Sequence, residues 1–531
     1  MTVAPSVDDK SDIFSKFEVF GRYQTLQYIL ICLTIIMTTM SHINYIFVAG
    51  NVKHRCRVAE CENESPSVDV PSWWPENTES KCLKPILNTE KYYLDNQTCS
   101  NSSFYDELEK CQDWIYENNN SIVAELNIAC EPWKITLVGA IHNTGMFVSM
   151  MLSGWIADKI GRKPTSVVCA VGATVGVIKI FIKNYNLYLA VEFLESVLGS
   201  GLYTVGVVLL VEVGGRSKRV MTGVLFAYAI YVGEMVFACI VIGLVYWKWV
   251  ILAVYSPMIL FSLYTFLLRE STRWQMLRGQ MDNAKKTLII ITKMNKIDIA
   301  EKDITDLSDQ ELRSKFNFEE QIQKEDLKEI FGSRKIMTRV VVTSFCLFTS
   351  SFLYYGTLVH SVLLPGNKNT NFILSALASF PGDLIAYFMM NSFGRRITIQ
   401  CGFLLSAVFL LAQNYSPDSL SWLKLALFLG GKFGVVMSFT GIYTYSLELF
   451  PTSVRGSLFG LGSTAARLGS ILAPLTPLLI AASTDLPSIL FASTAIIAAI
   501  LIQFTPETKT LPMFDTIAQV EAYKTTFNTK L

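Results

Sequence analysis

Five ionisable residues stand inside long apolar stretches of this sequence, where a charge is hard to accommodate. Arg467 lies in Gly462-Ser-Thr-Ala-Ala-Arg-Leu-Gly-Ser-Ile-Leu-Ala-Pro474, Asp383 follows Pro381-Gly382, Glu234 follows Gly233, Lys432 falls in Gly431-Lys-Phe-Gly434, and His360 closes a Tyr- and Thr-containing run. An ionised side chain at bilayer depth costs at least about 2.5 to 3.5 kcal/mol, so such residues face a partner or a water-filled path. Arginine does not discharge, so Arg467 requires an anion: a protein carboxylate, or a ligand carboxylate held by two N–H donors. The small residues around it allow close helix packing and leave the guanidinium room to reach a cavity. Asp383 and Glu234 could hold a cation, take up a proton or serve as the standing partner of Arg467. Lys432, near the start of its run, is expected to snorkel to the interface. His360 is expected to be a hydrogen-bonded histidine and not a proton relay. Tyr203, Tyr231, Tyr354, Tyr355, Tyr443 and Tyr445 occur in the fourth, fifth, seventh and tenth of the apolar runs, and aromatic faces attract alkylammonium groups by about 0.5 to 2 kcal/mol each. A fixed cation, acids and tyrosines together suit a small ligand carrying both charges, or a cation with an acceptor group.

A second constellation, Gly154-Trp-Ile-Ala-Asp158-Lys-Ile-Gly161-Arg162-Lys163-Pro164, bridges two apolar runs. An Asp, a Gly and a basic pair in so short a connection suit a tight turn with its charges in water, and Pro164 is placed to open the next helix. Basic residues in short loops mark the cytoplasmic side. Gly214-Gly-Arg216-Ser-Lys218-Arg219 has the same character.

The elements that position these residues are membrane spans. The chain has 531 residues, 51% hydrophobic and 17% charged, against roughly 25% charged in a soluble protein, and its mean hydropathy is +0.37. Apolar runs long enough to cross a bilayer recur along it, at about Tyr23–Gly50, Ile135–Ile156, Thr165–Ile182, Tyr188–Val213, Met221–Trp247 and Val250–Leu268. A second set falls at about Val340–Leu364, Asn371–Ser392, Ile397–Gln413, Leu420–Leu449, Gly456–Ala481 and Ser488–Phe504. The expected organisation is a cytoplasmic N-terminus (1–22), a first six-helix bundle (23–268) interrupted by a polar segment (51–133), a charged cytoplasmic linker (269–337) with a helix near Asp303–Phe316, a second bundle (338–505) and a cytoplasmic tail (506–531). The first 21 residues carry Asp, Lys and Glu and lack a signal-peptide core, so the first span is read as retained. A net charge of +1 gives no reason to expect a nucleic-acid partner.

The 51–133 segment holds Cys56, Cys61, Cys82, Cys99, Cys111 and Cys130, six of the eleven cysteines. An even number here suggests three disulfides in an oxidising compartment, with connectivity open. Asn63, Asn96, Asn101 and Asn119 each begin a glycosylation sequon beside them, which places the segment outside the cell or in a lumen. No CxxC pair supports a zinc site there.

The two halves repeat. Gly161-Arg162 recurs as Gly394-Arg395 at an offset of 233, Glu212 and Arg219 recur as Glu448 and Arg455 at 236, and Glu270 recurs as Glu507 at 237. Two six-span halves in parallel orientation imply an interior site at their interface near mid-membrane. Asn391 stands where the first copy has Asp158, so the two copies are expected to be asymmetric in charge.

These features carry a resemblance. The Gly154–Pro164 stretch resembles the signature loop of major facilitator transporters. The Cys-rich first loop, Glu270-Ser-Thr-Arg273, Gly431-Lys-Phe-Gly434, Glu448-Leu-Phe-Pro-Thr-Ser-Val-Arg455 and Pro506-Glu-Thr-Lys509 extend it to solute carrier family 22, the organic cation, organic anion and carnitine transporters, over nearly the whole chain. The resemblance implies an all-α major facilitator fold of twelve transmembrane helices in two pseudo-symmetric bundles, in the plasma membrane, with small organic ions as substrates. It implies that Asp158, Arg162, Lys163, Glu212, Arg219, Glu448 and Arg455 form a cytoplasmic gate. Gly462–Pro474 is similar to the carnitine and anion branches, which carry Arg at the position of Arg467; Asp383 stands at the place of a substrate-facing Lys of the anion branch; and Tyr203 and Tyr445 match aromatics of the carnitine branch. The expected substrate site is therefore Arg467, Asp383, Glu234, Tyr203, Tyr355 and Tyr445, for carnitine-like zwitterions or organic cations. An organic anion exchanger, or a receptor or scaffold that keeps the fold without transport, are the alternatives. No enzyme activity and no cofactor are expected, no phosphate-binding Gly-x-x-x-x-Gly-Lys-Ser/Thr loop of a primary pump is present, and Na+ or H+ coupling stays open.

Overall fold

A computed structural model describes residues 20–522, except 63–66, 76–77, 95–97, 215–218, 311, 313–331, 418, 452, 510, 512–513 and 515, together with the side chains of 94, 219 and 220. Twelve helices are long and apolar enough to span a membrane. Spans 1 to 6 run Arg22–Val48, Pro132–Ile160, Arg162–Phe181, Tyr185–Gly214, Met221–Gly243 and Trp247–Leu267; spans 7 to 12 run Arg334–Ser361, Lys368–Ser392, Arg395–Asn414, Ser421–Leu449, Arg455–Ala481 and Leu486–Phe504. Large apolar side chains such as Phe181 (77% exposed), Phe266 (75%) and Trp422 (68%) point outward, as a lipid-facing surface requires and an aqueous one would penalise.

Local chemistry fixes where the helices begin. Asn184, Ser333 and Asn367 cap spans 4, 7 and 8 by accepting from backbone N–H groups of the first turn, which satisfies donors that would otherwise be orphaned. Span 3 tightens into 3₁₀ geometry over Thr174–Phe181. Two apolar cores follow the two bundles, and each borrows from the other: Leu358 and Phe372 of spans 7 and 8 join the first core, while Tyr231 of span 5 joins the second.

The segment between spans 1 and 2 is a small disulfide-stapled unit. Strand β1 (His54–Cys56) pairs antiparallel with β4 (Trp114–Tyr116), and β2 (Leu83–Leu87) with β3 (Phe104–Lys110). The bridges are Cys56–Cys111, Cys61–Cys99 and Cys82–Cys130, around a core of Trp73, Trp74 and Phe104. Asn101 and Asn119 are exposed; Asn63 and Asn96 lie outside the described residues. His54 sits near Cys82 and Cys130, whose sulfurs are bonded to each other and so offer no thiolate to a metal.

At the end carrying this unit the bundles touch: the rings of Phe47 (span 1) and Phe372 (span 8) are 5.2 Å apart, and Gly139 (span 2) packs against Tyr45 and Pro474 (span 11). Beyond span 6, helices Thr272–Leu277, Met281–Asn295 and Glu301–Thr305 form a satellite core against Tyr23 and Val213. Met281–Asn295 is a helix not expected from the sequence; of the expected 303–316 helix, residues 303–305 close the Glu301–Thr305 helix, 306–308 are not helical, and 311 and 313–316 lie outside the described residues.

Candidate functional site

The interface between the bundles brings five of the six expected substrate-site residues to mid-depth on facing spans. Pro381 lies inside span 8, where the missing N–H loosens the helix, and Asp383 two residues on is 2% exposed. Its Oδ2 accepts from the Tyr231 hydroxyl of span 5 at 2.7 Å, and its Oδ1 accepts from Thr440 of span 10. Glu234, one turn beyond Tyr231, accepts from the Tyr354 hydroxyl at 2.9 Å; its other oxygen has no hydrogen-bond partner among the described residues.

Lys432 departs from expectation. It lies in the interior of span 10, is 0% exposed, and holds its ammonium 3.8 Å from the centre of the Tyr354 ring, with Nζ 3.4 Å from the Tyr354 carbonyl oxygen. The Lys432 and Glu234 charges act on each other across Tyr354. Snorkelling fails because eleven residues of span 10 precede Lys432, and a cation–π seat and a buried carboxylate replace water.

Arg467 in span 11 is half-buried. Its Nη1 lies 3.5 Å from the Met146 sulfur of span 2, and Tyr355 of span 7 lies close enough to feel its charge. Among the described residues no carboxylate comes within 4.0 Å of it, so neither Asp383 nor Glu234 is its standing partner. Tyr203 of span 4 bonds Thr39 at 2.7 Å and stacks on His42 at 4.9 Å between ring centres. Tyr445 stands apart: its hydroxyl donates to the Pro506 carbonyl at 2.6 Å, so it ties span 10 to the C-terminal segment. His360 bonds Thr476 at 3.0 Å.

At the end opposite the disulfides, residues expected to form a gate gather in two equivalent clusters, or locks. Gly161 (φ +114°) and Gly394 (φ +103°) adopt a backbone that side chains rarely tolerate and turn the chain into spans 3 and 9. The carboxylate of Glu270 accepts from the backbone N–H groups of Arg162 and Lys163, both at 3.1 Å; that of Glu507 accepts from Arg395 and Arg396, both at 2.9 Å. Each caps a helix N-terminus where negative charge is favoured. Burial raises the Glu270 carboxyl above its ordinary range, while these donors and Arg162 pull it down. Arg162 pairs with Asp158 at 2.9 Å and Glu212 at 3.3 Å; Arg395 pairs with Glu448 at 3.0 Å. Arg455 donates to the Phe450 carbonyl at 3.2 Å, and the Arg219 side chain lies outside the described residues. These ion pairs each stay within one bundle. Arg395 was visible in the sequence only as a repeat anchor, and Glu270 and Glu507 as repeat anchors and members of the motifs that carry the resemblance, all without a role.

The sequence reading missed a buried network inside the first bundle: His42 (span 1), His142 (span 2), Lys179 (span 3), and Glu192 and Glu195 (span 4), all 0–5% exposed. The signal was the same as for Arg467, an ionisable group in an apolar run, but Lys179 and Glu192 lie within a turn or so of the expected span ends and read as interfacial.

A family profile described as Sugar (and other) transporter matches residues 92–518. An organic cation transporter protein of Drosophila melanogaster is 29% identical over 525 residues, covering 96% of this chain and 94% of that one. Solute carrier family 22 member 6-B of Xenopus laevis is 27% identical, covering 96% and 94%, and solute carrier family 22 member 2 of Rattus norvegicus 26%, covering 97% and 95%. The chain belongs to the major facilitator superfamily, in solute carrier family 22. Among solved structures, the proton:xylose symporter XylE aligns with a TM-score of 0.58 at 14% identity, covering 94% of this chain and 99% of that one, which shows the fold alone. This solute carrier family 22 chain therefore has the major facilitator architecture, a multi-pass membrane protein whose family and fold are those of transporters and not of enzymes.

Proposed function

We propose that this chain carries small organic ions, carnitine-like zwitterions or organic cations, across the plasma membrane by alternating access, with both termini in the cytoplasm. The observation that supports this most is Arg467, a permanent cation at mid-depth between the bundles with a thioether and a tyrosine for company and no carboxylate within 4.0 Å. Such a group is completed by a ligand carboxylate. Glu234, with one carboxylate oxygen unpartnered, and Asp383 would face the ammonium end, and Tyr203 and Tyr355 would wall the site. Contact between bundles at the disulfide end, with the opposite locks each satisfied inside one bundle, fits a state open toward the cytoplasm. In the opposite state the lock residues would join the two bundles, and rocking between the states would move the site across the membrane. The relatives named as organic cation transporters support the substrate class.

One observation favours an organic anion exchanger instead: both Asp383 oxygens are already occupied by Tyr231 and Thr440, and Glu234 answers Lys432, which leaves Arg467 as the uncommitted charge. Uptake of labelled carnitine, a carboxylate-free quaternary ammonium and a simple organic anion, each with and without external sodium, separates the two. Carnitine preference supports paired recognition; anion-only uptake supports the exchanger. Arg467→Ala should abolish uptake of carboxylate-bearing substrates with surface expression intact, and equal uptake by mutant and parent would remove Arg467 from the site.

A further inference from the structure

The first bundle contains a chain of titratable groups that substrate recognition does not use. His42 Nδ1 and His142 Nε2 face each other at 3.0 Å, and His142 Nδ1 lies 2.8 Å from Glu192 Oε1 and 3.8 Å from Glu195 Oε2. Lys179 Nζ lies 2.9 Å from Glu192, 3.5 Å from Glu195 and 3.0 Å from the Tyr255 hydroxyl. The bonding fixes the tautomers. Glu192, held ionised by Lys179, accepts from His142, so His142 carries its hydrogen on Nδ1 and offers a bare Nε2. His42 must then donate from Nδ1, which leaves its own Nε2 without a hydrogen. Among the described residues that buried atom has no hydrogen-bond partner, and neither has Glu195 Oε2 at the far end, which meets the Lys179 ammonium only at 3.5 Å.

The charge count gives the ligand. Two carboxylates against one ammonium leave one negative charge uncompensated in a region 0–5% exposed, and one proton cancels it. A divalent ion is the wrong species, since the Lys179 ammonium already lies against both carboxylates. Tyr45 and Asn44 of span 1, Tyr188 and Ser196 of span 4 and Tyr255 of span 6 also pack here, all uncharged. The His42 ring stacks on Tyr203 and feels the Arg467 charge from span 11, so this end of the chain opens toward the proposed substrate site.

We propose that these residues form a proton-binding relay that couples proton movement to transport of a carboxylate-bearing substrate. A proton adds to His42 Nε2; the Nδ1 proton of His42 passes to His142 Nε2; and the Nδ1 proton of His142 passes to Glu192 or Glu195. One proton enters, one carboxylate is neutralised, and both imidazoles end neutral in the opposite tautomer. An anion on Arg467 cancels the positive field that opposes a proton on His42, so substrate and proton bind with mutual support. The coupling rests on the substrate reading above; the proton site does not.

The test uses the full chain in proteoliposomes with an internal pH dye and labelled carnitine, beside pH-difference infrared spectra of the purified protein. The expected result is substrate-driven internal acidification, together with a titrating carboxyl band, both lost in Glu195→Gln and in His142→Gln while thermal unfolding shows each variant folded. If one variant fails to fold, His42→Gln takes its place. Carnitine uptake without acidification overturns the coupling and leaves the transport reading standing. No carnitine uptake overturns the substrate reading, and the infrared titration then decides the proton site: a carboxyl band identical in parent and variants overturns it.

Discussion

The two bundles are alike at one end and unlike inside. At the end opposite the disulfides each repeats the same parts: a glycine of positive φ, an arginine bound to the last-turn glutamate of the fourth helix of its half, and a glutamate after the sixth helix capping the third. In the interior the first bundle seals a His–Glu–Lys network among its own helices, whereas the second holds Asp383 and Lys432 through Tyr231 and Tyr354, partnered by Glu234 from the opposite half. On the proposed function, a shared mechanical task would keep the locks equal, and a single asymmetric ligand between the halves would have no use for equal interiors.

The largest test of that contrast is removal of each buried lysine. Lys179→Met strips the ammonium from two carboxylates at 2.9 and 3.5 Å, and breaking a buried pair from one side costs about 3–5 kcal/mol. Lys432→Met should cost less, because Glu234 lies beyond 4.0 Å and keeps its Tyr354 hydrogen bond. Thermal unfolding of the purified proteins should therefore rank Lys179→Met well below Lys432→Met. Equal losses would mean that the second interior is as tightly paired as the first.

The locks test the likeness. Glu270→Gln and Glu507→Gln each remove a charge from a helix N-terminus and one of two good acceptors for adjacent N–H groups, a loss of about 1–2 kcal/mol in either half. Comparable falls in unfolding temperature and uptake rate are expected. A neutral result at one position and a loss at the other would show that the repeat is structural in one half only.

How much of this could be read beforehand follows from the range of each interaction. Twelve spans were visible because a run of apolar residues is a local property, and the starts and ends of Tyr23–Gly50 or Gly456–Ala481 differ from the structure by only a few residues. The locks were half visible: repeat spacing aligned Glu270 with Glu507, but only the fold brings each onto a helix start more than a hundred residues away. Lys432 was misread because distance from a helix end was judged on one helix, while its seat is built by Tyr354 of another. Tyr445 shows the converse, a tyrosine of the expected span that lies near the end of its helix, where its hydroxyl is claimed by the Pro506 carbonyl. The first-bundle network needed four helices to become one object, and no spacing rule in a single sequence supplies that.

The smallest expected effect concerns a difference in acid between the locks. Asp158 is largely exposed, 69% by side chain, and its bond to Arg162 spans one helical turn, a class of pair worth about 0.3–0.5 kcal/mol. The second lock carries Asn391 at that place and holds Arg395 through Glu448 and the Met390 carbonyl. Asp158→Asn makes the first lock resemble the second, and Glu212 with the Ala157 carbonyl still holds Arg162. Stability should stay within about 0.5 kcal/mol of the parent. A slower uptake rate at unchanged stability would assign Asp158 to the other conformation, where its carboxylate reaches the opposite bundle. Unchanged uptake as well would make it a solvated partner of Arg162 and leave Glu212 and Glu448 as the acids that matter in both locks.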